Sequence, residues 1–199
     1  MHGVALGESI AADRLYWFEI LRHLLELRRP ADAITLTNLA VSGSTTTHAL
    51  KGLPVLGMHR PDWVLCQFGG NDAQRLGIGG PRVVSAEETT RNFTLLRERA
   101  AALGPARWIW LAPPDMDENL IANYPFFRMS QTSWSAKDLA EMARELADRP
   151  EPVVDALSVT HPAPEIPLHL DDGGPPHGRR TEGHRPRAGH RPRRTRLMS

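Results

Sequence analysis

Four short apolar runs punctuate the chain, at residues 3–6, 33–38, 63–68 and 107–112, and a weaker fifth lies at 152–156. They are apolar on both sides rather than strictly alternating, as expected of parallel strands covered on both faces. Helical patterns lie between them. Leu15, Phe18, Leu21, Leu24 and Leu25 keep one face apolar in a helix that must end before Pro30. Phe93, Leu96, Ala100 and Leu103 repeat the pattern behind Ser85, whose spacing to Glu88 is that of a capping box, and Gly104 and Pro105 stop that helix. Leu139, Met142, Ala143 and Leu146 form a third stripe between Ser135, placed as an N-cap, and Pro150. Alternating strands and helices predict an α/β domain with a mainly parallel five-stranded sheet between helices.

Composition divides the chain in two. Residues 173–199 hold eight Arg and one Glu and almost nothing apolar, a charge of about +7 with His neutral. The whole chain has 24 basic and 23 acidic residues, so residues 1–172 carry 16 and 22, a mildly acidic body. That division predicts a domain over 1–172 and a basic Arg/Pro/Gly-rich tail, disordered or frameshifted, over 173–199. Nothing in the body marks a nucleic-acid surface, and the tail lacks interleaved aromatic residues for base stacking. The single cysteine, Cys66, excludes an intrachain disulfide and a multi-cysteine metal site, and its setting in WVLCQF reads as a buried strand thiol. No apolar run reaches the roughly 20 residues that span a bilayer. As written, the first residues lack a basic n-region and a long apolar segment, which predicts a cytoplasmic protein, or a secreted one if a leader is missing.

In parallel sheets, ligands gather at the carboxyl ends of the strands. Three of the loops expected there carry chemistry: Gly7-Glu8-Ser9 after the first strand, NLAVSGSTT (38–46) after the second, and GGND (69–72) after the third. A serine hydroxyl, the backbone N–H of Gly43 and the carboxamide of Asn71 are the parts that acyl transfer uses, a nucleophile and donors for an oxyanion. Each has a plainer reading: Ser9 as a helix N-cap, Gly43 as a turn residue, Asn71 and Asp72 as a strand terminus. The α/β-hydrolase elbow GxSxG is absent.

The blocks LGESI (6–10), NLAVSGSTT and GGND, in order and at strand ends, resemble those of the SGNH (GDSL-type) hydrolases, over roughly residues 3–172. LAPPDMDEN (111–119) is similar to the loop after that family's fourth strand. The resemblance implies a three-layer α/β/α sandwich of flavodoxin type and a serine esterase or lipase-like acyl hydrolase acting on a small-molecule ester without cofactor or metal. It assigns Ser9 as nucleophile, and the N–H groups of Ser9 and Gly43 with the Asn71 side chain as oxyanion hole.

Two departures qualify the match. Glu8 stands where the family has Asp, which implies altered hydrogen bonding around Ser9. The family's C-terminal DxxH block is disrupted: His177 lies five residues after Asp172 and six after Asp171. Asp172 and His177 are nonetheless the assigned acid and base, with Asp171, His184 and His169 as alternatives. Pro186 and Pro192 forbid the closing helix expected of the family, and the abrupt change at Gly173 implies a shifted reading frame. The competing readings are a catalytically impaired member that binds acyl or carbohydrate ligands, and an adaptor whose basic arm contacts nucleic acid. The aromatic stretch 124–134 either lines an acyl pocket or covers the sheet edge.

Overall fold

The computed structural model describes residues 1–77, 79–104 and 106–160. Its strands are β1 (His2–Gly7), β2 (Thr35–Asn38), β3 (Trp63–Gln67), β4 (Arg75–Leu76), β5 (Arg107–Leu111), β6 (Thr132–Ser133) and β7 (Val153–Val154). The helices are α1 (Ser9–Ala12), α2 (Trp17–Arg28), α3 (Thr46–His59), α4 (Gly70–Ala73), α5 (Ala86–Leu103), α6 (Glu118–Asn123), α7 (Pro125–Met129), α8 (Ala136–Ala147) and α9 (Ala156–Thr160).

The main sheet is wholly parallel, in the order β2-β1-β3-β5-β7, and its five strands are the five apolar runs of the sequence. The strand order changes sense at β1, with β2 added on one side and β3, β5 and β7 on the other, so the carboxyl ends of β1 and β3 flank the topological switch point where such sheets bind ligands. The two faces of the sheet are covered unequally. Val4, Leu6, Val64, Cys66, Trp108 and Trp110 form one core with Leu53 and Leu56 of α3, Phe93 and Leu96 of α5, and Leu139 and Met142 of α8. Truncating a buried aromatic such as Phe93 or Trp110 typically costs about 3–5 kcal/mol. On the opposite face, α2 is held by Trp17, whose Nε1–H donates to Gln67 Oε1 at 2.7 Å.

Several expectations need correction. The helix expected from Leu15 begins at Trp17, because Asp13 Oδ1 accepts the Leu15 N–H (2.8 Å) and turns the chain first. Leu15 is therefore outside the helix and exposed, and of the anticipated stripe only Phe18 is fully buried. Ser9 is the first residue of α1 and not its N-cap, a position taken by Glu8. Only half of the Ser85 capping box forms: Ser85 Oγ accepts the Glu88 N–H (3.2 Å), while Glu88 turns to the Thr47 hydroxyl. Ser135 occupies a cap position without a side-chain cap bond.

The sequence also hid α3. Gly52, Pro54 and Gly57 lie within it, and Pro54 removes one helical N–H. Packing overrides propensity here, since a Cβ on Gly57 would lie 3.2 Å from Leu103 of α5. The β4–β6 antiparallel pair is equally illegible at two residues per strand. It is tied to α8 by Arg75 and Arg82, each 2.6 Å from Asp138.

Candidate active site

Ser9, Gly43 and Asn71 all line one cavity of about 470 Å³ at the carboxyl end of the sheet. Each arrives for a local reason. The Glu8–Ser9 peptide leaves β1 and enters α1 directly, so Ser9 sits at the first helical position, half-buried, where a backbone N–H has no partner within the helix. The loop after β2 is tied to β1 by Leu39 N–H to Ala5 O (2.9 Å) and Val41 N–H to Gly7 O (3.0 Å), which brings Gly43 to the same rim. Gly43 has φ +76°, a left-handed conformation that a side chain would strain. Asn71 lies in α4, immediately after β3.

A buried polar network ties these three loops together. Gly70 N–H donates to Glu8 Oε1 (3.0 Å) and Asn71 N–H to Glu8 Oε2 (2.9 Å). Asn71 Nδ2 donates one hydrogen to Ser44 O (2.9 Å), which fixes the carboxamide and leaves its second hydrogen for another acceptor. Asp72 accepts from the Thr46 N–H (3.0 Å) and from the hydroxyls of Thr46 and Thr89, and Asn92 Nδ2 holds the Thr46 hydroxyl at 3.0 Å. The first loop is thus tied to the third, and the third to the second at two points.

Glu8 is the residue whose importance sequence reasoning understated. Its extra methylene lets the carboxyl reach across to the β3 loop, and a Cβ on Gly70 would press on Oε1, so any larger residue there would have to displace the Glu8 carboxyl. Burial pushes the Glu8 carboxyl up to about 8, against the pull of the Asn71 and Gly70 N–H groups, and the nearby Asp72 adds to the rise. Burial likewise raises Asp72 above the usual carboxylate range, although Thr46 and Thr89 bond to its charged form. Burial pushes the Cys66 thiol up as well, which agrees with an inert strand cysteine.

The far wall of the cavity is apolar, formed by Met116, Ile121, Phe126, Phe127 and Trp134. The aromatic stretch 124–134 therefore lines the cavity, and it does so through one short helix, a turn and a two-residue strand that carry no clear periodicity. Phe127 packs edge-on against Trp134 (5.1 Å between centroids), whose Nε1–H is anchored on Gly70 O at 2.8 Å. Asp13, Tyr16 and Gln74 add polar rim groups that the sequence did not single out.

Among the described residues no histidine lines the cavity. Asp172 and His177, and the alternatives Asp171, His184 and His169, lie outside the described residues, as does the basic tail. Among the described residues no cluster of His, Cys, Asp or Glu could hold a metal ion, and no helix is long and apolar enough to cross a membrane.

A family model for the GDSL-like lipase/acylhydrolase family matches residues 5–191. Among solved structures, the chain is similar to the lipase/acylhydrolase from Enterococcus faecalis, at 22% identity and TM-score 0.65 over 88% of each chain. It is similar to TesA at 20% identity and TM-score 0.62, covering 88% of this chain and 89% of that one. A third likeness is to Axe2-W215I, an acetyl xylan esterase from Geobacillus stearothermophilus, at 18% identity and TM-score 0.57 over 87% and 86% of the two chains. At these identities the structures speak for a shared fold. No curated protein sequence matches the chain.

Proposed function

This chain belongs to the GDSL-like lipase/acylhydrolase family, whose members are esterase- and lipase-type hydrolases, and from that premise we propose that Ser9 is its nucleophile. Ser9 Oγ attacks the ester carbonyl, and the oxyanion that develops is held by the Ser9 N–H, the Gly43 N–H and Asn71 Nδ2. His177 takes the serine proton and Asp172 orients it, an assignment that rests on sequence alone. The observation that carries the reading is the fixed Asn71 carboxamide, held by Ser44 O and by Glu8 on its backbone, in the same cavity wall as Ser9. The apolar wall of Phe127, Trp134, Met116 and Ile121 receives the acyl group of a small or medium ester.

The test is stopped-flow hydrolysis of p-nitrophenyl butyrate. The reading expects a burst of p-nitrophenolate that Ser9→Ala abolishes; an undiminished burst in Ser9→Ala removes Ser9 from the chemistry. The broken DxxH spacing favours a second reading, an impaired member that binds acyl ligands. For such a protein, hydrolysis is confined to the roughly thousandfold over water that an oxyanion hole alone sustains.

A further inference from the structure

A second, larger cavity of about 1260 Å³ opens at the amino end of the sheet, the end opposite Ser9. Its floor is made by the first residues of β3 and β5 and its sides by the last turns of α3 and α5. Leu56, Trp63, Ala100, Leu103 and Trp108 give it an apolar lining. The rim is also apolar and exposed to water: Met58 is 82% exposed and Leu103 45%. The two indoles lie on opposite faces of the sheet, Trp63 beside Arg107 and Trp108 beside Val64 in the core, so the cavity wraps around the amino edge of the sheet, where its exposed aliphatic groups gain from covering.

The polar groups of this cavity are mostly cationic. Arg60, Arg97 and Arg107 line it, with Asp62 as the acidic lining residue. Asp62 Oδ2 already accepts the His2 N–H at 2.6 Å, and Arg97 is paired with Glu151 at 2.7 Å. Arg60 and Arg107 form no ion pair among the described residues. The Arg107 guanidinium lies 5.1 Å over the Trp63 ring and that of Arg97 lies 5.8 Å over Trp108. Arg97 is turned to Glu151, whereas stacking orients the Arg107 guanidinium and leaves its N–H edge without an acceptor among the described residues, and a carboxylate matches such a fork. Trp108, 3% exposed, also has an indole N–H with no acceptor among the described residues.

We infer that this amino-end cavity binds a free single-chain carboxylate amphiphile, with its carboxylate on Arg107 and Arg60 and its chain crossing the amino edge of the sheet from Trp63 to Leu103. A concave apolar chamber suits a dispersed chain better than a membrane surface. The ligand is of the chemical kind that acyl-ester hydrolysis releases, yet the site shares no residue with the Ser9 cavity. Its occupancy is therefore independent of whether Ser9 is the nucleophile.

The experiment is calorimetric titration of the full chain with decanoate below its micellar concentration, with butyrate and decyltrimethylammonium as comparison ligands. Arg60→Asn combined with Arg107→Gln removes both cations at exposed positions, and Asn tolerates the left-handed backbone of residue 60 (φ 44°). An unchanged melting temperature certifies its fold. Saturable decanoate binding is expected in the wild type and in Ser9→Ala, weakened at least about tenfold in the double variant. Butyrate, which lacks the chain, and decyltrimethylammonium, which carries the wrong charge, bind at least about tenfold more weakly than decanoate. Equal decanoate affinity in wild type and double variant would place the ligand elsewhere, and so overturn the inference. Absence of decanoate binding, or equal binding of the cationic amphiphile, would overturn it too.

Discussion

The two walls of the Ser9 cavity are built on opposite principles. On the oxyanion side, Glu8, Asn71 and Asp72 are each held by two or more hydrogen bonds, and Glu8 and Asp72 are almost wholly buried. On the acyl side, the short helix α7 and the residue after the two-residue β6 carry rings that lean on one another, and Phe126 at the outer end is 66% exposed. The difference follows from the task of each wall. An oxyanion forms in one place, so its donors gain from being fixed before the reaction begins. An acyl chain needs area and exclusion of water, which rings in loose contact supply while still adjusting to chains of different length.

The largest effect is expected where fixed geometry meets developing charge. Asn71→Ala should lower kcat for p-nitrophenyl butyrate by about a hundredfold to a thousandfold, with the circular dichroism spectrum unchanged. A loss below tenfold would mean that the carboxamide is only a loop tether. Next comes Asp72→Ala, which strands the Thr46 N–H and the Thr46 hydroxyl in the interior, while the Thr89 hydroxyl keeps Ser85 O as acceptor. Leaving buried donors unpaired costs about 1–3 kcal/mol each, so urea unfolding should show a loss of roughly 2–4 kcal/mol.

Glu8 gives the same wall a pH signature. Its folded-state value, about 8, lies above the unfolded value near 4.5, so between these limits the folded chain keeps a proton that the unfolded chain has lost. Its contribution is fully present below about pH 4.5 and declines as pH rises through 8, by at most roughly 1.4 kcal/mol for each pH unit in that window. Glu8→Gln should remove that slope from unfolding curves. It should also lower kcat, because the Gln amide presents a donor to one of the two N–H groups that Glu8 accepts. The acyl wall should respond more weakly. Phe127→Ala, which withdraws the ring packed on Trp134, is expected to reduce kcat/KM for an octanoate ester about tenfold more than for an acetate ester. Phe126→Ala, at an exposed position, should change either by no more than about twofold.

The same contrast separates what could be read in the sequence from what could not. The five strands were legible because a parallel strand covered on both faces is a continuous apolar run, and the loops at their carboxyl ends then named Ser9, Gly43 and Asn71. The Glu8 interaction was not legible: nothing in LGESI says that its carboxyl spans to residues 70 and 71, since that contact exists only once β1 and β3 pair. Helix α3 was concealed by Gly52, Pro54 and Gly57, of which Gly57 answers to close packing on Leu103 of α5 against helical propensity. The acyl wall was visible as aromatic composition but not as structure, because α6, α7 and β6 are too short to show a period. Asp172 and His177 remain assignments of sequence, and it is their spacing, not the fold around Ser9, that departs most from the family's pattern.

The central claim is that Ser9 becomes covalently acylated beside a preformed oxyanion hole. Acid quenching during turnover of p-nitrophenyl butyrate, followed by intact-mass and peptide mass spectrometry, tests it most directly. The account predicts a butyryl adduct on the peptide containing Ser9, present in the wild type and absent from Ser9→Ala. Hydrolysis with no adduct at Ser9, or an adduct on another residue that survives Ser9→Ala, would contradict it.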